Sequence, residues 1–188
     1  MHMPNRMRFY VCSFGGCGSW MLAQYLSRYG PVSHVHTRKP PTKLTKVRDE
    51  QFTTDAVKPA NYRVIYIYRD PLTALCSVAR RHDLGLHCHN IGCAPATLEM
   101  AVERNADVFG LAEFFTNYTT PAGRNYRILC VKYETLAANM PLLNSLLGIP
   151  DVPMHYPTIR ETPTDAPDVP CYDALRATMD ALPPFYLV

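Results

Sequence analysis

The stretch from Phe9 to Leu26 constrains the fold of this chain more than any other, because its character changes twice over a short distance. Residues 9 to 12, FYVC, are apolar and suited to a strand, and three glycines crowd the positions just after them. From Trp20 onward, apolar residues recur at helical spacing. The stretch therefore predicts a strand, a glycine-rich loop and a helix.

A junction of this kind suits an anion such as phosphate or sulfate. A loop rich in glycine can turn its backbone N–H groups inward, and the helix that follows adds unpaired N–H groups and the positive end of its dipole. Ser19 stands where it can cap the helix or offer its hydroxyl to the same anion. The alternative is that the glycines only form a tight turn. The loop is not a Walker A sequence, because no Lys-Ser/Thr pair follows Gly18.

Length and composition narrow the class of protein. The 188 residues have the length of one domain, and 47% hydrophobic with 19% charged residues is typical of a globular protein. The net charge of +3 predicts no general surface for nucleic acid. We expect a cytoplasmic protein, because no segment has the apolar length of a membrane span and the first residues lack the apolar core of a signal peptide. The seven cysteines, without paired spacing, favour reduced thiols.

Strands and helices alternate along the rest of the chain. We expect further strands at 32–36, 63–68 and 127–133, helices at 71–79, 97–118, 136–147 and 172–182, and irregular segments at 37–62, 82–96 and 150–170. This order predicts an α/β fold in which helices cover both faces of a central parallel sheet. Ligands of such sheets bind at the carboxyl ends of the strands, where the glycine loop, Arg69 and Tyr133 are expected to emerge.

The second junction, after strand 63–68, carries Arg69, and Ser77 follows eight residues later. A guanidinium at the end of a strand and a hydroxyl two helical turns on can hold one phosphate together. The string VIYIYRDPLTALCSVARR resembles the 3′-phosphate-binding segment of the sulfotransferases that use 3′-phosphoadenosine-5′-phosphosulfate (PAPS). FGGCGSWML resembles the 5′-phosphosulfate loop of that family, and VKYETL is similar to its Tyr-Glu-Asp-Leu segment. All three segments occur in the order of the family, within residues 8 to 148.

The resemblance implies a nucleotide-kinase-like, P-loop-type α/β fold over a single domain, 1–188. It also implies transfer of a sulfuryl group from PAPS to a hydroxyl or amine of an acceptor, with 3′-phosphoadenosine-5′-phosphate (PAP) as the product. The residues that it assigns to the 5′-phosphosulfate loop are Gly15, Gly16, Cys17, Gly18, Ser19 and Trp20. Arg69 and Ser77 would bind the 3′-phosphate, and Tyr133 would lie near the adenine unless it is only a buried tyrosine at a strand end.

Two departures from the family pattern concern charge. Gly16 occupies the position of the loop lysine that stabilises the bridging oxygen, and the chain has no carboxy-terminal Arg-Lys-Gly segment. We expect Arg38, Lys39 or another loop cation to supply the missing charge. Arg38 is therefore a candidate catalytic residue.

His34 and His36 are the candidates for the base that takes the acceptor proton. Alternate residues of a strand share one face, so both rings can point into the cleft. The catalytic histidine of related cytosolic sulfotransferases also follows the second strand, and His36, which is nearer the loop, is the preferred base.

A cluster of possible metal ligands lies further along the chain and comprises His82, His87, Cys88, His89 and Cys93. Its spacing matches no common zinc pattern, so an acceptor-binding loop is favoured over a metal site and no metal is expected.

The sequence thus predicts a PAPS-dependent sulfotransferase that acts on a small molecule or a glycan. One alternative is a non-catalytic protein of the same fold that binds PAP or another nucleotide. Another is a P-loop-type phosphotransferase, which the missing Walker pair disfavours. The sequence identifies neither the acceptor nor the oligomeric state.

Overall fold

The computed structural model describes residues 7–42, 61–81, 84–150 and 166–188. At its centre is a five-stranded sheet in the order β2-β1-β3-β4-β5. The strands are β1 (Arg8–Cys12), β2 (Val32–Val35), β3 (Tyr62–Tyr68), β4 (Ile128–Lys132) and β5 (Phe185–Leu187). The first four are parallel, and β5 pairs with β4 in the antiparallel direction. The predicted α/β class is confirmed, and the predicted parallel sheet is confirmed for four of its strands.

The inner strands are apolar because both of their faces are covered. Val11 pairs with Ile65 across β1 and β3, Ile67 pairs with Val131 across β3 and β4, and all four side chains are fully buried. A nearly continuous run of β-branched and aromatic residues such as RVIYIY is typical of a parallel strand between two layers of helices. The central sheet therefore fixes where the strand ends, and the loops that follow them, come together.

Eight α-helices flank the sheet in the described residues. They are α1 (Ser19–Leu26), α2 (Pro71–Ala79), α3 (Leu84–Ile91), α4 (Leu98–Arg104), α5 (Leu111–Thr119), α6 (Tyr133–Leu136), α7 (Met140–Leu147) and α8 (Asp173–Asp180). Asp70 caps α2 by accepting a hydrogen bond from the amide of Thr73 at 2.8 Å, and Pro71 occupies the first turn. None of the described helices is long and apolar enough to cross a membrane.

The structure corrects three of the expected elements. Residues 84–91, predicted to be irregular, form α3, which buries His87, Cys88 and Ile91. The predicted helix 97–118 is divided into α4 and α5, because Asn105 takes a left-handed conformation at φ 42° and Asp107 then caps α5 through the amides of Leu111 and Ala112.

The predicted helix 136–147 starts earlier and is divided as well, into α6, a 3₁₀ turn at Ala137–Asn139 and α7. The sequence analysis did not predict β5. Most of the irregular segments predicted at 37–62 and 150–170, together with His82, lie outside the described residues.

Candidate functional site

A cavity of about 580 Å³ lies beyond the carboxyl ends of β1 and β2. The loop after β1, the end of β2, α2 and α3 all contribute to its wall. The described residues that line it are Gly15, Gly16, Gly18, Ser19, Trp20, Met21, His34, His36, Val78, Arg81 and His87. The structure therefore brings together the glycine loop and both candidate histidines.

The loop is packed too closely for a side chain at any of its three glycines, and at Gly15 a Cβ atom would meet the ring of His87. Gly16 and Gly18 have φ values of +68° and +72°, which are left-handed conformations that favour glycine. A Cβ atom at Gly16 would collide with the backbone carbonyl of Ala74, and one at Gly18 would collide with the ring of Tyr133. The loop is thus held against α2 on one side and against the start of α6 on the other.

Side chains from two other elements hold carbonyl groups of the loop. Nε2 of His87 donates to the carbonyl oxygen of Phe14 at 2.6 Å, and Nη1 of Arg69 donates to that of Gly16 at 3.4 Å. Because the C=O and N–H of a trans peptide group point in opposite directions, each bond turns the next amide of the loop away from the side chain that holds the carbonyl. The loop backbone is therefore oriented by its neighbours.

The amide groups of residues 15 to 21 donate no hydrogen bond to any other part of the chain that the structure describes. The helix ladder of α1 starts only with the amide of Leu22, which donates to the carbonyl of Gly18 at 3.1 Å, and no side chain caps the helix. Three of these seven residues are glycines of positive φ, and the last three form the first turn of α1. A run of unpaired backbone donors of this kind beside a cavity is typical of an anion site.

Ser13 and Ser19 connect the loop to His34. Oγ of Ser13 donates to Oγ of Ser19 at 2.8 Å, and Ser19 in turn lies 2.8 Å from Nε2 of His34. Ser19 is thus held between Ser13 on one side and the ring of His34 on the other. Burial and the charge of His36 lower the pKa of His34 to about 4, so the ring is neutral at pH 7. Ser13 was not among the predicted site residues.

His36 is oriented by the backbone of the same loop. Its Nδ1 donates to the carbonyl oxygen of Ser13 at 2.9 Å, so the neutral ring carries its lone pair on Nε2. The ring centroid of His36 lies 4.8 Å from that of His34 and 5.5 Å from that of His87. Three histidine rings thus meet at the cavity. The sequence analysis had placed His87 in a different cluster, because the helix that turns it inward was not predicted.

Arg81 lines the cavity and was missed by the sequence analysis. Its Nε donates to the carbonyl oxygen of Ser77 and its Nη2 donates to the hydroxyl of Ser77, each at 2.9 Å. The structure therefore joins Ser77 to Arg81, four residues later, whereas the sequence analysis paired Ser77 with Arg69. The spacing of four residues at the end of a predicted helix is the signal that would have found this pair.

Arg69 lies beneath the loop and is only 6% exposed. Its guanidinium carbon is 4.7 Å from the ring centroid of Tyr133, and its Nε is 4.0 Å from a carboxylate oxygen of Glu134. Neither Arg69 nor Tyr133 belongs to the described lining of the large cavity; Arg69 lines a smaller one with Cys17. The Cys17 side chain is buried as well, and burial raises the pKa of its thiol to about 12. These side chains support the loop from the core side.

The structure places Arg38 away from the cavity. Its guanidinium donates to the backbone carbonyls of Ile91, Phe109 and Gly110, and it forms an ion pair with Glu113 at 3.1 Å. The predicted catalytic role of Arg38 has no support in this placement, because these contacts already occupy the guanidinium. Lys39 is exposed and is not part of the described lining either.

No three His, Cys, Asp or Glu side chains within the described ranges are placed to hold a metal ion. In the cluster considered from the sequence, Cys88 is fully buried, His89 is exposed and His82 lies outside the described residues.

Comparison of the chain with family models, with curated proteins and with solved structures gives no match. The chemistry of the site is therefore inferred from its own backbone groups and side chains.

Proposed function

We propose that the protein is a PAPS-dependent sulfotransferase of nucleotide-kinase-like, P-loop-type architecture, in which the glycine loop binds the 5′-phosphosulfate. The observation that carries the proposal is the run of amide groups at residues 15 to 21, which have no hydrogen-bond partner elsewhere in the described structure. Their glycine conformations and the start of α1 favour a compact anion with several oxygen atoms. The cavity of about 580 Å³ has the size of a ligand site.

Sulfuryl transfer needs an acceptor oxygen in line with the bond that breaks and a base for the acceptor proton. The acceptor oxygen forms a bond to sulfur, and the bond from sulfur to the bridging oxygen breaks. The electron pair of that bond stays with the bridging oxygen, so PAP leaves as the anion. The acceptor proton goes to the imidazole of a histidine in the cavity.

His36 fits the role of the base better than His34. The bond from Nδ1 to the Ser13 carbonyl leaves the lone pair of neutral His36 on Nε2, where it can take a proton. The pKa of His34, at about 4, is too low for an effective base near neutral pH, and its Nε2 is engaged by Ser19. His34 then acts on the loop through Ser19, as a positioning residue.

The predicted contacts of Arg69 and Ser77 with a 3′-phosphate, and of Tyr133 with adenine, stay predictions. In its present contacts Arg69 orients the Gly16 carbonyl, and its charge faces Glu134. Sulfotransferase activity requires that the anion at the loop carry the sulfuryl group. It does not require that Arg69 reach the nucleotide.

Calorimetric titration with PAP, with ADP and with ATP tests the proposal. We expect PAP to bind most tightly and Gly16→Ala to weaken that binding at least tenfold, because the new Cβ collides with Ala74 and displaces the loop. Gly148→Ala is the matched control, since Gly148 has the same φ of +68° but its nearest neighbour to a new Cβ is 3.9 Å away. Transfer of labelled sulfate to saccharides and phenols should fall ~10²- to 10⁴-fold in His36→Ala.

Three outcomes decide between the proposal and its alternatives. Tighter binding of ATP than of PAP would favour a phosphotransferase. Specific binding of PAP without transfer to any acceptor would favour a non-catalytic nucleotide-binding protein. If Gly16→Ala and Gly148→Ala change the affinity for PAP equally, the glycine loop does not bind the ligand.

A further inference from the structure

We propose that Arg81 supplies the positive charge that stabilises the bridging oxygen during sulfuryl transfer, and that Ser77 positions it. This inference rests on the proposed function and assigns a residue that the sequence pattern did not indicate. The family pattern has its cation within the loop, at the position of Gly16, whereas here the cation comes from the end of α2.

Arg81 is the only lysine or arginine among the described residues that line the cavity. It shares that wall with Gly15, Gly16 and Val78, so its guanidinium and the loop face the same space. The other cations considered for the site are engaged or placed elsewhere: Arg38 binds three backbone carbonyls, and Arg69 lies on the core side of the loop beside Glu134.

Ser77 orients Arg81 without neutralising it. A guanidinium has five N–H donors, and Ser77 takes two of them, one through its carbonyl and one through its hydroxyl. No carboxylate of the described residues forms an ion pair with Arg81. Within the part of the chain that the structure describes, the remaining donors and the charge are therefore available to an anion in the cavity, and Ser77 holds the side chain in one orientation.

The charge of Arg81 reaches the interior of the loop. Burial and the charge of Glu134 raise the pKa of the Cys17 thiol, and the positive charges of Arg69 and Arg81 oppose that rise. The charges of both guanidinium groups therefore act on the Cys17 thiol. Only Arg81 adjoins the cavity, so only its charge acts directly on a group bound there.

In the transfer step, the S–O bond to the leaving phosphate breaks and negative charge develops on the bridging oxygen. Arg81 donates a hydrogen bond to that oxygen and keeps its proton, while the acceptor proton goes to His36. Because the charge is larger in the transition state than in bound PAPS, the interaction strengthens as the bond breaks. Arg81 should therefore affect turnover more than affinity.

Steady-state transfer of labelled sulfate, together with calorimetric titration of PAP, tests this role. We expect Arg81→Met to lower kcat ~10²-fold while changing the KM for PAPS much less, and Arg81→Lys to recover part of the loss. The Kd of PAP should rise as well, because the former bridging oxygen carries its full charge in PAP. Arg80→Met is the matched control, because Arg80 is the exposed neighbour of Arg81 and does not line the cavity. Ser77→Ala should lower kcat by a smaller factor, and Ser77→Thr, which keeps the hydroxyl, should restore it.

Failure of the Arg81 role and failure of the proposed function give different results. If wild-type protein transfers sulfate and Arg81→Met retains kcat within threefold, the role of Arg81 is wrong and the function stands. If wild-type protein neither binds PAP nor transfers sulfate, both are wrong. The melting temperature of each variant is compared with that of wild type, and we expect it to be unchanged, so that a loss of kcat does not come from unfolding.

Discussion

Single hydrogen bonds decide which nitrogen carries the proton in two of the cavity histidines, His36 and His87. The rings of His36 and His87 donate to backbone carbonyls of the loop, through Nδ1 and Nε2 respectively. The ring of His34 instead forms its hydrogen bond with the hydroxyl of Ser19, through Nε2. Three residues of one type therefore present different atoms to their surroundings, and they are not interchangeable.

The lowered pKa of His34 makes the stability of the protein depend on pH. An unfolded histidine gains a proton below about pH 6.5, whereas the folded ring of His34 stays neutral down to a pH of about 4. The unfolded state binds more protons in this window, so stability falls as the pH falls from 6.5 towards 4 and is retained above 6.5. Between pH 7 and pH 5 we expect wild type to lose about 1 kcal/mol more than His34→Gln, allowing for solvent screening of a half-buried ring.

Urea unfolding at the two pH values measures this difference. His89→Gln is the control, because His89 is exposed on α3. An equal loss of stability in wild type and His34→Gln would contradict the assigned environment of His34.

At the scale of elements, hydrogen bonds from Arg38 connect the segment after β2 to α3 and α5. Its guanidinium contacts the carbonyl of Ile91 at the end of α3 and those of Phe109 and Gly110 just before α5. Hydrogen bonds from a charged donor to buried carbonyls contribute more than neutral ones. The arginine that the sequence suggested for catalysis therefore has a structural position.

Arg38→Met should destabilise the protein by about 3 kcal/mol, because three carbonyls lose a charged donor. Lys39→Met, at the exposed neighbouring position, should change stability by less than about 0.5 kcal/mol. Equilibrium unfolding in urea gives both values. Arg38→Met with wild-type stability and impaired turnover would instead support the catalytic role first considered.

An element can be predicted from the sequence when the pattern that specifies it lies in its own residues and does not depend on contacts with distant parts of the chain. The strand β3 was predicted from an apolar run that needs no partner to be recognised, and α2 from the Asp70-Pro71 start. The three residues of β5 follow two prolines and pair only with β4, so nothing near them in sequence indicates a strand. The break between α4 and α5 had local signals, since Asn105, Asp107 and Gly110 all favour turns or caps.

The same distinction applies to the candidate site. The loop and both candidate histidines were predicted because each lies at a strand end, where topology alone brings them together. Arg81 and His87 reach the cavity through the packing of α2 and α3, which the sequence does not specify locally. Arg69 was predicted to face the ligand, but it is buried beneath the loop beside Glu134, a residue far away in the chain.

At the scale of the whole molecule, the last helix is attached to the ends of β3 and β4, at the same edge of the sheet as the site. Asp70 accepts from Arg176 of α8 at 2.9 Å, while its other oxygen caps α2 through Thr73. Lys132, at the end of β4, forms an ion pair with Asp180 at 2.9 Å. The carboxy-terminal segment therefore stabilises the edge of the sheet from which the functional loops emerge.

Asp70→Ala should cost about 2 kcal/mol, because it removes both a helix cap and the ion pair to α8. Asp173→Ala is the comparison, since Asp173 contacts the same arginine at 3.4 Å but is exposed and should contribute less than about 0.5 kcal/mol. Thermal unfolding followed by circular dichroism measures both. Equal effects of the two substitutions would mean that α8 is not coupled to the start of α2 through Asp70.

Trp20 gives the molecule an optical property that follows from its position. It is the single tryptophan of the chain, it is 61% exposed, and it stands at the wall of the cavity. Indole emission depends on contact with water and with stacked rings, so a molecule entering the cavity alters the only tryptophan fluorophore of the protein. The natural sequence therefore contains its own label, and occupancy of the cavity can be followed by intrinsic fluorescence without modifying the chain.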